Sequence, residues 1–347
     1  MIDFGWDAGF EAALQEVMRE LGPSTRTVAI GRVLRRDKTT CAVAFPELVP
    51  HVPISQRVVW SPLDAPTTGD FVVVVDGEIR VVLERRTCMM RAGYRDLSAQ
   101  VLAANVDTVL VVSSLANAFR ARRIERLLVV AWQTGAVPVI VLTKADCCED
   151  AGLAYDETAA VAPGAPIHIV SALTGDGIDA LASELAPRTT AVMIGPSGVG
   201  KSTLANALGG GGLDLATSEI RADGKGRHTT VTRELVQLAN GALMIDTPGL
   251  RAIGLWDAEE ALGEAFSDVE ELAAACRFTD CAHDSEPGCA VKVAIAAGLL
   301  DTERLESYRR LQREQRRLAA RADARLRAER SAELRALYKQ RKTTYYR

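Results

Sequence analysis

Hydrophobic positions change their period along the chain and divide it into parts. Over residues 1–24 the apolar residues fall at helical spacing and stop at Gly22-Pro23, which predicts a short amphipathic helix to which no function attaches. From Thr27 to about Arg86 the runs VAIGRVL, CAVAF, FVVVV and IRVVLE alternate with turn signals such as Asp76-Gly77, the pattern of a small β-barrel. An oligonucleotide-binding (OB) barrel and an SH3-like barrel fit equally well. From about Val101 the pattern becomes α/β. The apolar runs DTVLVVS, VPVIVLT, IHIVS and AVMIG alternate with helix-like RIERLLVVAWQTG and IDALASEL, as in a parallel sheet covered on both faces. The last strand, GALMID, ends at Asp246, and beyond it the chain reads as helical and cysteine-bearing. Gly209–Gly212 reads as a loop, and no internal repeat is found.

Composition narrows the class. Hydrophobic residues at 48% and charged residues at 25% describe a water-soluble globular protein. No apolar run is long enough to span a membrane, and the acidic N-terminal segment lacks the features of a secretory signal, so the expected location is the cytoplasm without membrane attachment. The net charge of −4 conceals an asymmetry: residues 301–347 carry 15 Lys/Arg against 7 Asp/Glu, a local +8 that leaves −12 for the rest. Such a tail suits an anionic partner such as nucleic acid, although a solvated arginine-rich helix has the same composition.

The strongest local motif is Gly195-Pro196-Ser197-Gly198-Val199-Gly200-Lys201-Ser202, followed by Thr203, between a strand and a helix. Glycines let the loop curl so that its N–H groups face a phosphate, and the following helix N-terminus adds a favourable dipole. Lys201 then meets the β- and γ-phosphates, and the Ser202 hydroxyl ligates Mg²⁺. Downstream, Asp246-Thr-Pro-Gly249 follows a strand, where the acid can hold Mg²⁺ through water and Gly249 can bring an N–H to a γ-phosphate.

A phosphate loop does not choose a base. Thr143-Lys144-Ala145-Asp146 and Ser171-Ala172-Leu173 end two strands upstream of it. The two oxygens of Asp146 match the adjacent N1 and N2 donors of guanine, which adenine lacks. Lys144 packs its stem on the base, and the Ala172 N–H meets O6. These positions predict GTP and GDP as ligands.

Cys276, Cys281, His283 and Cys289 place three thiolates and one imidazole within 14 residues. This is a closed tetrahedral set for one structural Zn²⁺, with no open position for catalysis. Cys41, Cys88, Cys147 and Cys148 lack such spacing and read as packing or surface residues.

Together with the segments AANVD (Ala103–Asp107) and GKGRHTT (Gly224–Thr230), these motifs resemble the RsgA/YjeQ family of circularly permuted GTPases, over roughly residues 27–310. TKAD and SAL precede the phosphate loop here, whereas an ordinary GTPase places them after it. The resemblance implies a permuted P-loop GTPase domain, an N-terminal OB barrel and a C-terminal helical zinc domain. The expected boundaries are 1–24 for an N-terminal extension, 25–92 for the barrel, 93–255 for the GTPase domain, and 256–347 for the zinc domain with its basic helix. The resemblance also implies GTP hydrolysis stimulated by the small ribosomal subunit and a role in its late maturation; the subunit and its rRNA are the expected partners of what is expected to be a monomer. GRHTT becomes switch I, with Thr230, in preference to Thr229, closing on Mg²⁺. Leu250 stands where many GTPases place a water-orienting Gln, so His228 is the candidate to orient water, the competing reading being a solvated switch-loop histidine. Thr143 departs from the usual Asn, which puts base affinity rather than base identity in question. Two other readings stay open on the residues alone: a non-ribosomal P-loop ATPase or kinase, and a nucleotide-regulated RNA-binding protein.

Overall fold

The computed structural model describes residues 4–21, 27–45, 48–92, 99–116, 119–211, 233–246 and 258–320. The chain forms two compact units, one of residues 1–93 with 98–254, the other of residues 255–347 with 94–97.

The first unit begins with α1 (Ala8–Leu21), whose Asp7 carboxylate accepts from the N–H groups of Gly9 and Phe10 at 2.8 and 3.2 Å and so caps the helix. Five strands follow, β1 (Val28–Arg36), β2 (Thr40–Ala44), β3 (His51–Pro53), β4 (Phe71–Val75) and β5 (Glu78–Val82). They run β3-β2-β1-β4-β5, and the ring closes where Ile54, just after β3, bridges in parallel to Ile79 of β5. Parallel closure between the third and fifth strands is the OB topology, which resolves the choice between the two barrels. The run FVVVV shows no polar alternation because both its faces are covered. Val72 and Val74 join Val33, Val43 and Ile79 inside the barrel, while Phe71, Val73 and Val75 pack beneath Phe10 and Leu14 of α1.

A ribbon of β6 (Cys88–Ala92) and β7 (Ala99–Ala104) leads into the α/β part. There the elements are β8 (Thr108–Ser114), α2 (Arg122–Trp132), β9 (Val137–Thr143), α3 (Ala151–Val161), β10 (Ile167–Val170), α4 (Ile178–Glu184), β11 (Thr190–Ile194), α5 (Lys201–Leu208), β12 (Glu234–Gln237) and β13 (Leu243–Asp246). The sheet order is β10-β9-β8-β11-β13-β12, parallel except for β12. From β8 the chain winds outward through β9 to β10. It then returns through residues 186–189 to β11 and winds the other way. The reversal lies between β8 and β11, which is where an open α/β sheet opens a crevice at its strand C-termini. One sheet runs on from β12 into barrel strand β1 through the pair Arg35 and Glu234.

The described residues of the second unit hold the helices α6 (Glu259–Ala265), α7 (Ser267–Ala274), α8 (Ala290–Ala296) and a further helix, α9, over 302–320, with a loop between α7 and α8. Its centre is Phe266, fully buried, with the Arg304 guanidinium stacked 4.1 Å from the ring centroid and doubly bonded to Asp268 at 3.0 and 2.9 Å. No described helix is long and apolar enough to cross a membrane.

Candidate nucleotide site and metal centre

The phosphate loop leaves β11 at Gly195, whose φ of +153° is reserved for glycine, and a Cβ there would lie 2.3 Å from the Val112 carbonyl. Gly198 and Gly200 also take positive φ, and Gly200 caps α5. The loop thus has the curl that points N–H groups inward above a helix N-terminus, with Ser202 and Thr203 in the first turn of that helix. The Lys201 ammonium lies in the loop's mouth, donating to the carbonyls of Gly195 and Pro196 at 2.8 and 2.7 Å. Asp246 is the last residue of β13, which pairs in parallel with β11, the strand that leads into the phosphate loop.

The segments expected to read the base stand two strands away. β9 and β10 pair in parallel with Val170 opposite Thr143, which places Lys144–Asp146 and Ser171–Ala172 side by side at the same sheet edge. Lys144 adopts the left-handed conformation, φ 60°, and its Nζ donates to the Gly198 carbonyl at 2.9 Å. Its stem runs along the phosphate loop: Lys144 Cε is 3.9 Å from where a Gly200 Cβ would be. The exposed Asp146 carboxylate receives one donor on each oxygen, the Ser171 hydroxyl at 2.5 Å and the Cys147 thiol at 3.3 Å. These bonds, the Ser171 one foremost, hold its pKa below the usual carboxylate value. An ionised carboxylate oriented in this way has a lone pair left on each oxygen for two adjacent N–H donors.

Thr143, whose departure from the usual Asn put base affinity in question, is buried. Its hydroxyl lies 2.6 Å from the Val199 carbonyl and 3.2 Å from that of Ser113. A hydroxyl has one proton to donate, so the shorter contact takes it. Thr143 therefore ties the end of β9 to the phosphate loop. Gly249, Leu250 and the GKGRHTT segment with His228, Thr229 and Thr230 lie outside the described residues.

The structure brings all four proposed zinc ligands together. Cys276, Cys281, His283 and Cys289 have their ligand atoms within 4.8 Å of one another. Cys276 Sγ is 3.9 Å from Cys289 Sγ, and His283 Nδ1 is 3.6 and 3.5 Å from these two sulfurs. A tetrahedron with Zn–S bonds of about 2.3 Å has S···S edges of about 3.8 Å and slightly shorter S···N edges, so the donor set fits Zn²⁺ in kind and size. Two residues that spacing did not reveal shape this loop. The Glu286 carboxylate accepts from the N–H groups of Ala282, Asp284 and Ser285 at 3.0, 2.8 and 3.1 Å, and Arg309 of α9 donates to the Ala282 carbonyl at 2.6 Å. Glu286-Pro-Gly288 reads as a turn signal, but nothing in it announces a carboxylate that gathers three amides.

A phosphate loop after the fourth parallel strand and a carboxylate base reader upstream of it define a circularly permuted P-loop GTPase. Comparison with known proteins agrees. The family model described as RsgA GTPase matches residues 82–256. A relative from Streptomyces avermitilis named "Small ribosomal subunit biogenesis GTPase RsgA" is 45% identical, covering 95% of this chain and 89% of its own length. Among solved structures, YjeQ from Thermotoga maritima is 28% identical with a TM-score of 0.61, covering 82% of this chain and 97% of its own. YloQ, described as a circularly permuted GTPase, is 27% identical with a TM-score of 0.60, covering 83% of this chain and 95% of its own. The chain belongs to the RsgA GTPase family and is a GTP hydrolase.

Proposed function

We propose that this GTPase acts in biogenesis of the small ribosomal subunit and turns over GTP chiefly when bound to that subunit. The observation that carries this reading is the 45% identity, over nearly the whole chain, to a relative named for that role. The OB barrel and the +8 segment over residues 301–347 supply a surface and counter-charge for rRNA, so binding should weaken as salt rises. We place the protein in the cytoplasm, as a monomer, with the domain limits 1–24, 25–92, 93–255 and 256–347.

In the proposed mechanism Asp146 accepts from N1 and N2 of guanine, Lys144 flanks the base and the Ala172 N–H donates to O6, with Ser171 orienting the carboxylate. The N–H groups of Gly195–Ser202 and the Lys201 ammonium hold the β- and γ-phosphates, with Thr203 behind Ser202 in the same helical turn. Mg²⁺, held by Ser202 and Thr230 and through water by Asp246, would neutralise phosphate charge when bound. Gly249 contributes an N–H toward the γ-phosphate. Leu250 cannot orient water, so intrinsic turnover is slow, and a subunit that orders switch I, with His228 placed toward water, lowers the barrier by alignment. Zn²⁺ on Cys276, Cys281, His283 and Cys289 stabilises the second unit.

The test is steady-state GTP turnover against purified small and large subunits at two salt concentrations, with the full chain and a truncation lacking residues 301–347. Stimulation by small subunits alone, reduced by the truncation, is expected. Fast turnover without subunits, or equal response to large ones, would falsify the reading.

A further inference from the structure

The AANVD segment, the N-terminal residues and one buried arginine take no part in the chemistry above, yet they meet at a single point. Arg32 sits in the middle of β1 with 3% of its surface exposed. Its Nε donates to the Gly69 carbonyl at 3.1 Å, Nη1 to the Phe4 carbonyl at 2.5 Å, and Nη2 to the Asn105 carbonyl at 3.2 Å and the Thr190 hydroxyl at 2.8 Å. These acceptors belong to a barrel loop, the N-terminal segment, the β7–β8 turn and the first residue of the phosphate-loop strand. Thr190 is gripped from its other side too: its N–H donates to the Asp107 carboxylate at 2.7 Å, and its carbonyl accepts from the Asp107 N–H at 2.8 Å. Asn105, in the left-handed conformation at φ 54°, donates from Nδ2 to the Gly69 carbonyl at 3.1 Å and accepts the Arg86 N–H at 3.1 Å.

All four of these hydrogen bonds are to neutral acceptors, and the guanidinium also lies 4.8 Å from the centroid of the Phe71 ring. Burial draws its pKa down to about 10, partly offset by the charges of Asp107 and Asp70, so it stays a cation at neutral pH. A buried cation held by neutral groups is an inefficient source of stability, since an apolar side chain of similar volume could fill the position. What a planar five-donor fork provides and an apolar chain cannot is fixed geometry between several backbone segments. From Thr190 the strand runs directly to Ile194 and the phosphate loop at Gly195.

We propose that Arg32 is a positioning residue for GTP hydrolysis, locking the OB barrel to the first residue of the phosphate-loop strand so that engagement of the barrel is transmitted to the bound nucleotide. This rests on the reading that the small subunit docks on the barrel. A loose joint would let the barrel follow the rRNA while the phosphate loop stayed behind. The Arg32 fork, with Asp107 opposing it across Thr190, removes that freedom.

The experiment has two arms on the full-length protein. In the first, hydrogen exchange is followed without subunits in the wild type, Arg32→Met, Arg32→Lys and Thr190→Val. Faster exchange at the Asp107 and Thr190 amides is expected in all three variants, because an ammonium cannot span four acceptors and the Val lacks the accepting hydroxyl. In the second arm, turnover is titrated with small subunits. Arg32→Met should keep basal turnover within about twofold of wild type and keep the half-saturating subunit concentration, while maximal stimulated turnover falls about tenfold, the loss expected for about one charged hydrogen bond no longer held in the transition state. Thr190→Val should fall in the same direction by less, and the double variant no further than Arg32→Met, since the two share a bond. Stimulation of Arg32→Met or, should that variant fold poorly, of Thr190→Val at the wild-type maximum overturns the inference. So does unchanged amide exchange. A wild type that ignores small subunits refutes the proposed function and the transmission with it, while the exchange arm still judges the lock.

Discussion

The nucleotide site and the Cys₃His cluster are built in opposite ways. The first collects Thr143–Asp146, Ser171–Ala172, Gly195–Thr203 and Asp246 from four strand ends spread over about 100 residues, and a parallel sheet fixes their spacing. The second collects four ligands within 14 residues on a loop whose own hydrogen bonds run mainly to Glu286 and Arg309. A site carried by a sheet keeps its shape when its chemistry is removed, whereas a site carried by a loop depends on its ion. The sharpest test is Lys201→Ala. It removes the cation in the mouth of the loop and leaves the backbone cradle, so hydrolysis should fall by at least about a hundredfold, from loss of transition-state charge stabilisation. The thermal midpoint should move little. A variant that also unfolds at lower temperature would show that the ammonium's bonds to Gly195 and Pro196 build the loop.

The cluster should behave in the converse way. Removing Zn²⁺ with a chelator, or substituting Cys276→Ser with Cys281→Ser, should release one ion per chain and expose the amides of residues 276–289 to exchange. GTP binding by the first unit should persist. Glu286→Gln keeps the side-chain shape and halves its acceptor capacity, and should lower zinc affinity by about 10- to 100-fold, the usual cost of losing a group that orients a ligand loop. Zinc affinity equal to wild type would mean that the loop is ordered by the ion alone.

Which parts could be read from the residues follows the same division. The glycine-rich loop, the strand-end segments Thr143–Asp146 and Ser171–Ala172 and the Cys/His cluster could be placed from the residues because each is a short motif at a strand end or within one loop, where local order decides what the chain does. The barrel was legible as a barrel. Its type came from the family resemblance and not from the hydrophobic pattern, because the deciding bridge joins Ile54 to Ile79 across turns whose pairing no period records. Arg32 was invisible for a stronger reason: its partners lie 28, 37, 73 and 158 residues away, and an arginine in a strand reads as an exposed edge residue. AANVD was recognisable as a segment, but its task, holding the start of β11 through Asp107, needs the sheet to exist first. The contacts of the Thr143 hydroxyl with Val199 and Ser113 could not be read from the residues, since a strand-end side chain can face either of two neighbouring loops.

Thr143 offers an intermediate test on the sheet-borne side. Thr143→Val keeps the shape and deletes the only proton shared with the Val199 carbonyl, so GDP should dissociate about fivefold to tenfold faster, as expected for a buried acceptor losing its donor. Thr143→Asn supplies two N–H donors for the carbonyls of Val199 and Ser113 and should slow dissociation. Guanine preference should be unaltered in both, because the proposed base contact is made by Asp146. Stopped-flow release of a fluorescent GDP gives the rates, and equal rates for Val and Thr would leave the tie without consequence for the nucleotide.

The smallest effect expected concerns the helix that covers β4. Asp7 caps α1 and also forms a two-pronged ion pair with Arg86, whose guanidinium lies 4.0 Å from the centroid of the Phe10 ring. The hydrogen bond from Arg86 is the main cause that lowers the Asp7 pKa from 3.8 to about 2. A carboxyl with a depressed native pKa contributes stability that is complete above its unfolded pKa and is lost as pH falls through the native one, so this contribution should fade between about pH 4 and pH 2. Both side chains are about half exposed, 48% and 49%, and water screens the pair, so its worth at neutral pH is ~1 kcal/mol at most. Asp7→Asn retains an oxygen to cap the helix and removes only the charge. At pH 7 the variant should melt about 2–4 °C below wild type at most, the shift such an energy gives in a unit of this size, and the two curves should converge on approaching pH 2. A difference that persists undiminished in acid would assign the loss to capping instead of to the ion pair, and the Arg86 contact would then be a packing contact on Phe10.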